Sequence, residues 1–296
     1  MKFSIVKNYK IFFAITIIFL LIGLGSIFTR GFNMGIDFTG GTIMDLNFAK
    51  PVTVADVRDV LKEHDLGNSI IQLESSEENV QSANGVLIRT GVIGDDQRRA
   101  AMNDLQTKLG DYQINRVEQV GATIGGELIQ QAVLAIVLSW FLMIGYITVR
   151  FEFRFAIAAI IALIIDVLVT LSYFSLFHME MDSSFVAALL TVVGYSINGT
   201  IVIFDRIREN LKIHRRSESL ADMVDSSIWQ TMTRTCYTVG TSLFAVVAIF
   251  VWGGETIRNF SFAMMVGFAS GAYTSIFLAG PMWLFLRNMK DKKAAQ

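Results

Sequence analysis

Six long apolar runs, at residues 11–28, 128–149, 155–177, 185–204, 236–252 and 260–286, commit this 296-residue chain to a membrane. A helix needs around 20 apolar residues to cross about 30 Å of hydrocarbon, so the chain reads as an α-helical polytopic membrane protein with six spans. One charge falls inside the runs, Asp166, near the middle of the third. A carboxylate at that depth costs about 2.5–3.5 kcal/mol on insertion scales, so it marks either a function or a hydrogen-bonded clasp between helices. Charged residues make up 17% of the chain and mean hydropathy is +0.50, whereas soluble domains carry roughly 25% charge. A net charge of −1 offers no electrostatic footprint for nucleic acid. The single cysteine, Cys236, excludes an internal disulfide, and no Cys/His cluster has zinc spacing, so no metal or other cofactor is expected.

Lys and Arg in the short connections set the orientation, because cytoplasmic loops retain them. Lys2, Lys7, Lys10, Arg150, Arg154, the basic cluster over 206–216 and the tail over 287–293 fall on one side, against Arg30 and Arg258 opposite. Both termini are therefore expected in the cytoplasm and the long segment 31–127 outside it. The N-terminal run has no A-x-A cleavage site and reads as an uncleaved anchor. Three domains follow: 1–30 with the first span, 31–127 outside, and 128–296 with five spans, a cytoplasmic loop over 205–235 and a cytoplasmic tail.

The segment 31–127 alternates apolar and polar residues over 42–48, then opens a helical pattern at Thr53 with Val57, Val60, Leu61 and Leu66 on one face. Residues 69–73 and 86–92 read as strands joined by a polar stretch over 74–84. A helix over 95–109 starts on Asp95 and Asp96 and stops at Gly110, and residues 112–120 supply a last strand. The order β-α-β-β-α-β is the ferredoxin-like α+β arrangement, which by itself implies no activity. His64 has no Ser, Cys or carboxylate partner recognisable from spacing and reads as a plain helix-end histidine. His178 and His214 flank spans on opposite sides and cannot form one relay. No Walker A sequence is present and no span contains a histidine for Ser/His catalysis, so the chain is not expected to be an enzyme.

Several motifs stand out against this background. Gly35-Ile-Asp-Phe-Thr-Gly-Gly41 opens the external domain, where Gly35, Gly40 and Gly41 suit a tight turn and Asp37 can cap it. Gly121 to Gly126 precede the second span and could serve as a hinge. Val193-Gly-Tyr-Ser-Ile-Asn198 runs on to Phe204-Asp-Arg-Ile-Arg-Glu-Asn210, and Gly194, Ser196 and Gly199 there allow close helix packing. Arg234-Thr235 leads to Gly240-Thr-Ser242, and Arg234 fits an ordinary boundary arginine. The stretch 205–216 reads as a solvated helix extension attracted to anionic lipid headgroups.

Together these motifs resemble the SecF branch of the SecD/SecF family of protein-export membrane proteins, related to the RND transporters, over essentially the whole chain. The resemblance implies a six-helix RND-type half bundle with an external ferredoxin-like domain, in the bacterial inner membrane. It implies an auxiliary subunit of the Sec translocase that works with SecD on the SecYEG translocon and uses the transmembrane ion gradient to draw out secreted polypeptides. It also leaves open a docking surface over 205–216. Two departures stand out: the family has Asp after Asn198 where this chain has Gly199, and commonly His before Asp166 where it has Ile165. Arg234 matches the arginine that the family associates with the missing Asp, so the ion-coupling candidates are Asp166, Arg234 and Asn198. At 1.5 Å per residue Gly199 lies about 7 Å and Asp166 about 16 Å inside their runs, so an Arg234–Asp166 pair would need snorkelling or bridging water. A passive assembly subunit and an RND-like small-molecule exporter remain as alternatives.

Overall fold

A computed structural model describes residues 3–74, 81–214, 219–254 and 257–294. Lys2, Arg215, Arg216 and residues 75–80 of the polar connection lie outside the described residues. The elements are α1 (Tyr9–Arg30), β1 (Asn33–Met34), α2 (Ile36–Thr39), β2 (Gly41–Thr53), α3 (Val54–Lys62), β3 (Ile70–Glu74), β4 (Ser82–Thr90), α4 (Asp95–Leu109) and β5 (Tyr112–Val120). They are followed by α5 (Ala122–Arg150), α6 (Phe153–Leu176), β6 (Glu180–Met181), α7 (Ser183–Ile213), α8 (Leu220–Trp252), α9 (Arg258–Tyr273) and α10 (Gly280–Ala294). The chain divides into two compact units, Met34–Gln131 on the one hand and Met1–Asn33 with Ala132–Gln296 on the other.

In the smaller unit the four-stranded sheet has the order β3-β4-β2-β5, antiparallel throughout, with both helices drawn onto one face. Met44, Leu46 and Phe48 alternate inward from β2 and pack with Val57, Val60 and Leu61 of α3 and Ala101 and Leu105 of α4. Period 2 in the strand and period 3.6 in the helices thus meet in one core. Pro51, which has no N–H to donate, falls where the β2–β4 register shifts between Asn47 and Val52. Thr53 ends β2 and begins α3 through a capping box: its hydroxyl accepts from the Asp56 N–H at 3.2 Å, and the Asp56 carboxylate accepts from the Thr53 N–H at 3.1 Å. The Thr53 hydroxyl and N–H hold the Asp56 carboxyl below its usual range. The cap is therefore complete above the ordinary carboxylate value and is lost as pH falls through the lowered one. Thr53→Ala is expected to cost about 1 kcal/mol at this end, read as faster amide exchange over residues 54–57 with exchange in the β2–β4 ladder unchanged.

The larger unit contains the membrane helices. Among the described residues six are long and apolar enough to cross a membrane, the sixth running from Arg258 through α9 and a π-helical turn at Thr274–Ala279 into α10. α6 and the last span are the most enclosed, each with 56% of its most apolar window buried, against 6% for α5. Backbones approach closely at glycines. A Cβ on Gly267 of α9 would lie 2.2 Å from Val192 Cγ2 of α7, and one on Gly271 would lie 2.8 Å from Ser196 Cβ. At one end Phe155 stacks on Trp283 at 4.7 Å and meets Phe204 at 4.8 Å, all three almost fully buried. The segment before α1 is tied to the first turns of α8. The Ser4 hydroxyl and the Val6 N–H donate to Asp225, Lys7 pairs with Asp222, and the Trp229 Nε1–H donates to the Phe3 carbonyl at 3.0 Å.

The stretch read from sequence as a loop over 205–235 is helical to Ile213 and again from Leu220. Local pairs at i and i+3 keep α7 helical after its apolar run ends at Phe204, with Arg208 on Asp205 at 2.7 Å and Arg206 on Glu209 at 2.8 Å. Ser219 caps α8 through the Asp222 N–H. Polar residues continue these helices because their charges are satisfied along the helix itself.

Candidate functional site

Asp166 is fully buried on α6, and hydroxyls from two other helices converge on its carboxylate. Ser196 of α7 donates to Oδ2 at 2.5 Å, Ser270 of α9 to Oδ1 at 2.6 Å, and Thr274 reaches both oxygens at 2.9 and 3.0 Å. Close approach at Gly271 brings Ser196 and the α9 hydroxyls to one depth, so the small residues and the polar ones act as one device. Thr274 opens the π-helical turn, a departure from α-geometry of the kind that recurs at functional positions. No charged side chain takes part in this cluster. A carboxylate ringed by hydroxyl oxygens has two chemistries open to it: taking and releasing a proton, or offering oxygen ligands to a small cation.

The donors open onto two separate cavities. Ser270 and Thr274 line a largely apolar groove of about 480 Å³ whose walls include Thr16, Phe19, Tyr173 and Phe262. Ser196 lines a smaller cavity of about 70 Å³ between α7, α8 and α9, together with Asn198, Gly199, Arg234, Thr235 and Ser275. The structure thus brings Asn198, Gly199 and Arg234 together but keeps Arg234 out of the Asp166 cluster, where the carboxylate's hydrogen-bond partners are hydroxyls. Ser196 touches both places, lining the small cavity and donating to the carboxylate.

The glycine turn lies in the other unit. Gly35 is the N-cap of α2, and Asp37 sits inside that helix's first turn rather than at the cap. Gly40 and Gly41 leave the turn with φ +71° and +142°, and a Cβ on Gly41 would lie 2.5 Å from the Thr90 carbonyl oxygen. No L side chain fits there, which is the physical content of the Gly-Gly pair. Gly125 has a similar constraint, since a Cβ there would lie 2.6 Å from the Phe38 carbonyl oxygen.

His64 departs from the sequence expectation that it lacks a carboxylate partner. Its Nε2 lies 2.9 Å from Asp104 Oδ2, and Gln97 donates to its carbonyl at 2.7 Å. Asp104 is 40 residues away on α4, so local spacing could not reveal it; the pair ties the turn after α3 to α4. Among the described residues, no group of three His, Cys, Asp or Glu could hold a metal ion.

Comparisons with known proteins bear on both units. The family profile described as "Protein export membrane protein SecD/SecF, C-terminal" matches residues 101–289, and the SecD/SecF GG motif profile matches residues 25–52. The protein translocase subunit SecF of Acidaminococcus fermentans is 68% identical over 287 residues, covering 97% of this chain and 98% of that protein. SecF of Vibrio alginolyticus is 38% identical over 95% of this chain and 89% of its own length. Among solved structures, the translocon-associated membrane protein SecDF of Thermus thermophilus superposes with a TM-score of 0.86 at 32% identity, covering 97% of this chain and 39% of that one. SecDF in a super-membrane-facing form gives 0.73, also at 32% identity, over 100% of this chain and 40% of that one. The chain thus spans about two fifths of each solved SecDF polypeptide.

Proposed function

The chain belongs to the SecD/SecF family of protein-export membrane proteins, as a multi-pass subunit of the SecF type in Sec-pathway export, and we propose that it couples export to a transmembrane ion gradient. In this reading it works with SecD at the SecYEG translocon in the bacterial inner membrane. Both termini are cytoplasmic, the unit Met34–Gln131 is external and meets emerging polypeptide, and ion movement through the helix bundle biases that unit's position.

The observation that carries the proposal is Asp166: a buried carboxylate in a spanning helix, held by three hydroxyls whose helices also line two separate cavities. Intramembrane carboxylates facing a bundle interior are the usual carriers of ion traffic. A SecD partner is supported by the apolar faces this chain leaves uncovered, among them Leu134, Phe141 and Leu142 on α5 and Tyr237 and Phe244 on α8. Six spans are half of a pseudo-symmetric twelve-helix transporter.

A second reading, a passive assembly subunit, draws on the small cavity, where no carboxylate faces Arg234. Export of a secreted reporter, measured with and without an uncoupler in cells whose sole SecF-type subunit is this chain, separates the two. Coupling requires that removing the chain slow export and that Asp166→Asn, in a complex that still assembles, erase its uncoupler-sensitive part. If uncoupler sensitivity survives in Asp166→Asn, the passive reading stands.

A further inference from the structure

We infer that the cavity between α7, α8 and α9 is a binding site for a small monovalent anion of the halide class. Its polar groups are donors left over after the local hydrogen bonds are made. Arg234, an exposed residue, lines it and, among the described residues, has no salt-bridge partner. The Thr235 hydroxyl lines it from a residue only 5% exposed and has no hydrogen-bond partner. The Asn198 side chain adds an amide. The other hydroxyls are committed: Thr238 donates to the Arg234 carbonyl at 2.9 Å, Tyr195 to the Thr238 carbonyl at 2.9 Å, and Ser275 shares a 2.8 Å bond with Thr200.

Among the described residues no acidic side chain lines the cavity, and Arg234 is the one fixed charge there. Buried polar groups are satisfied in native proteins, and the buried, orphan Thr235 hydroxyl beside the exposed, unpaired Arg234 calls for an acceptor that carries negative charge. The volume of about 70 Å³ takes a chloride-sized ion with a water beside it. Walls from Val202 and Val239 disfavour a multiply charged, strongly hydrated anion. Gly199 keeps the space open: a Cβ there would meet Ser275, with Oγ at 3.2 Å and Cβ at 3.7 Å. The site is separate from the Asp166 carboxylate, with Ser196 between the two.

The test is ³⁵Cl relaxation on the full chain copurified with its membrane partner, exchanged into a gluconate buffer and titrated with chloride. Excess line broadening that saturates and is competed by bromide is the expected result. Arg234→Gln and Gly199→Asp are expected to abolish it, the latter by supplying a built-in carboxylate, and Thr235→Val to weaken binding about threefold to tenfold. Arg234→Lys keeps the charge and is expected to retain weakened binding, which separates loss of the site from loss of folding. The inference is overturned if the unsubstituted complex shows no broadening, or if broadening persists unchanged in Arg234→Gln or Gly199→Asp. Broadening in the chain alone that disappears with the partner bound also overturns it, because a partner group then fills the cavity.

Discussion

Export by a chain carrying Asp166→Asn is expected to run at the uncoupled rate whether or not the gradient is present, while the protein accumulates and assembles normally. The expectation comes from comparing two magnitudes. Three interhelical hydroxyl bonds converge on the carboxylate, and such bonds in bilayers average about 0.6 kcal/mol each, so even Asp166→Leu costs the bundle only about 2 kcal/mol. The Asn side chain keeps an acceptor for some of the hydroxyls and costs less. Exchange of a proton or cation at this position is lost in both variants, because neither side chain ionises. Large functional loss beside small structural loss therefore identifies an ion-handling group. The measurement is reporter export with and without uncoupler, set against chain abundance and thermal unfolding of the purified complex. Retained gradient dependence in Asp166→Asn would make the cluster a polar clasp between α6, α7 and α9, and the passive reading would gain.

The opposite pattern is expected at Gly267. A Cβ there would overlap Val192 Cγ2 at 2.2 Å, and Val192 is itself fully buried on α7, so neither side has room to yield. Gly267→Ala is expected to destabilise the α7–α9 contact by about 1–3 kcal/mol, and Gly267→Leu to block assembly. Val192→Ala alone removes buried contacts, yet in combination with Gly267→Ala it removes the overlaps at 2.2 and 2.5 Å and leaves only the milder one at 2.9 Å with Val192 Cβ. The double variant is therefore expected to be more stable than Gly267→Ala alone, with a coupling of about 0.5–3 kcal/mol. Unfolding of the purified protein in mixed micelles reads this directly. Additive costs would show that the helices shift apart instead of interlocking.

Some of this architecture is visible in the chain itself because its signals are local. The apolar runs exceed the hydrocarbon thickness, and the two periods of the external segment mark helices and strands wherever they occur. Asp166 is conspicuous because charge is rare at that depth. Its partners are not: Ser270 and Thr274 lie 104 and 108 residues along the chain, and a hydroxyl in a spanning helix bonds its own backbone as readily as another helix. Ser196 reads from sequence only as a small packing residue. The grouping of Asn198 and Gly199 with Arg234 follows from resemblance to relatives and has no expression in local spacing. The His64–Asp104 pair was hidden for the same reason as the Asp166 cluster, separation along the chain. The ends of α7 and α8 were hidden for another: hydropathy finds where lipid stops, and these helices are carried onward by ion pairs and a cap.

The separation of Asp166 from its donors has a consequence for how the protein is made. The carboxylate enters the membrane with the third span, but two of its three hydroxyl partners belong to the sixth. At about 5–20 residues per second, ribosomes need about 5–20 s to supply them. During that interval the third helix must stay inserted with most of its polar ring missing. It does so on its own apolarity, a mean hydropathy of 2.6 over its best window, next to the highest of the six spans. The sixth span then arrives at a waiting carboxylate and closes the polar centre. A chain truncated before Ser270 would insert its spans and leave that centre unfinished, which gives quality-control proteases a specific defect to recognise.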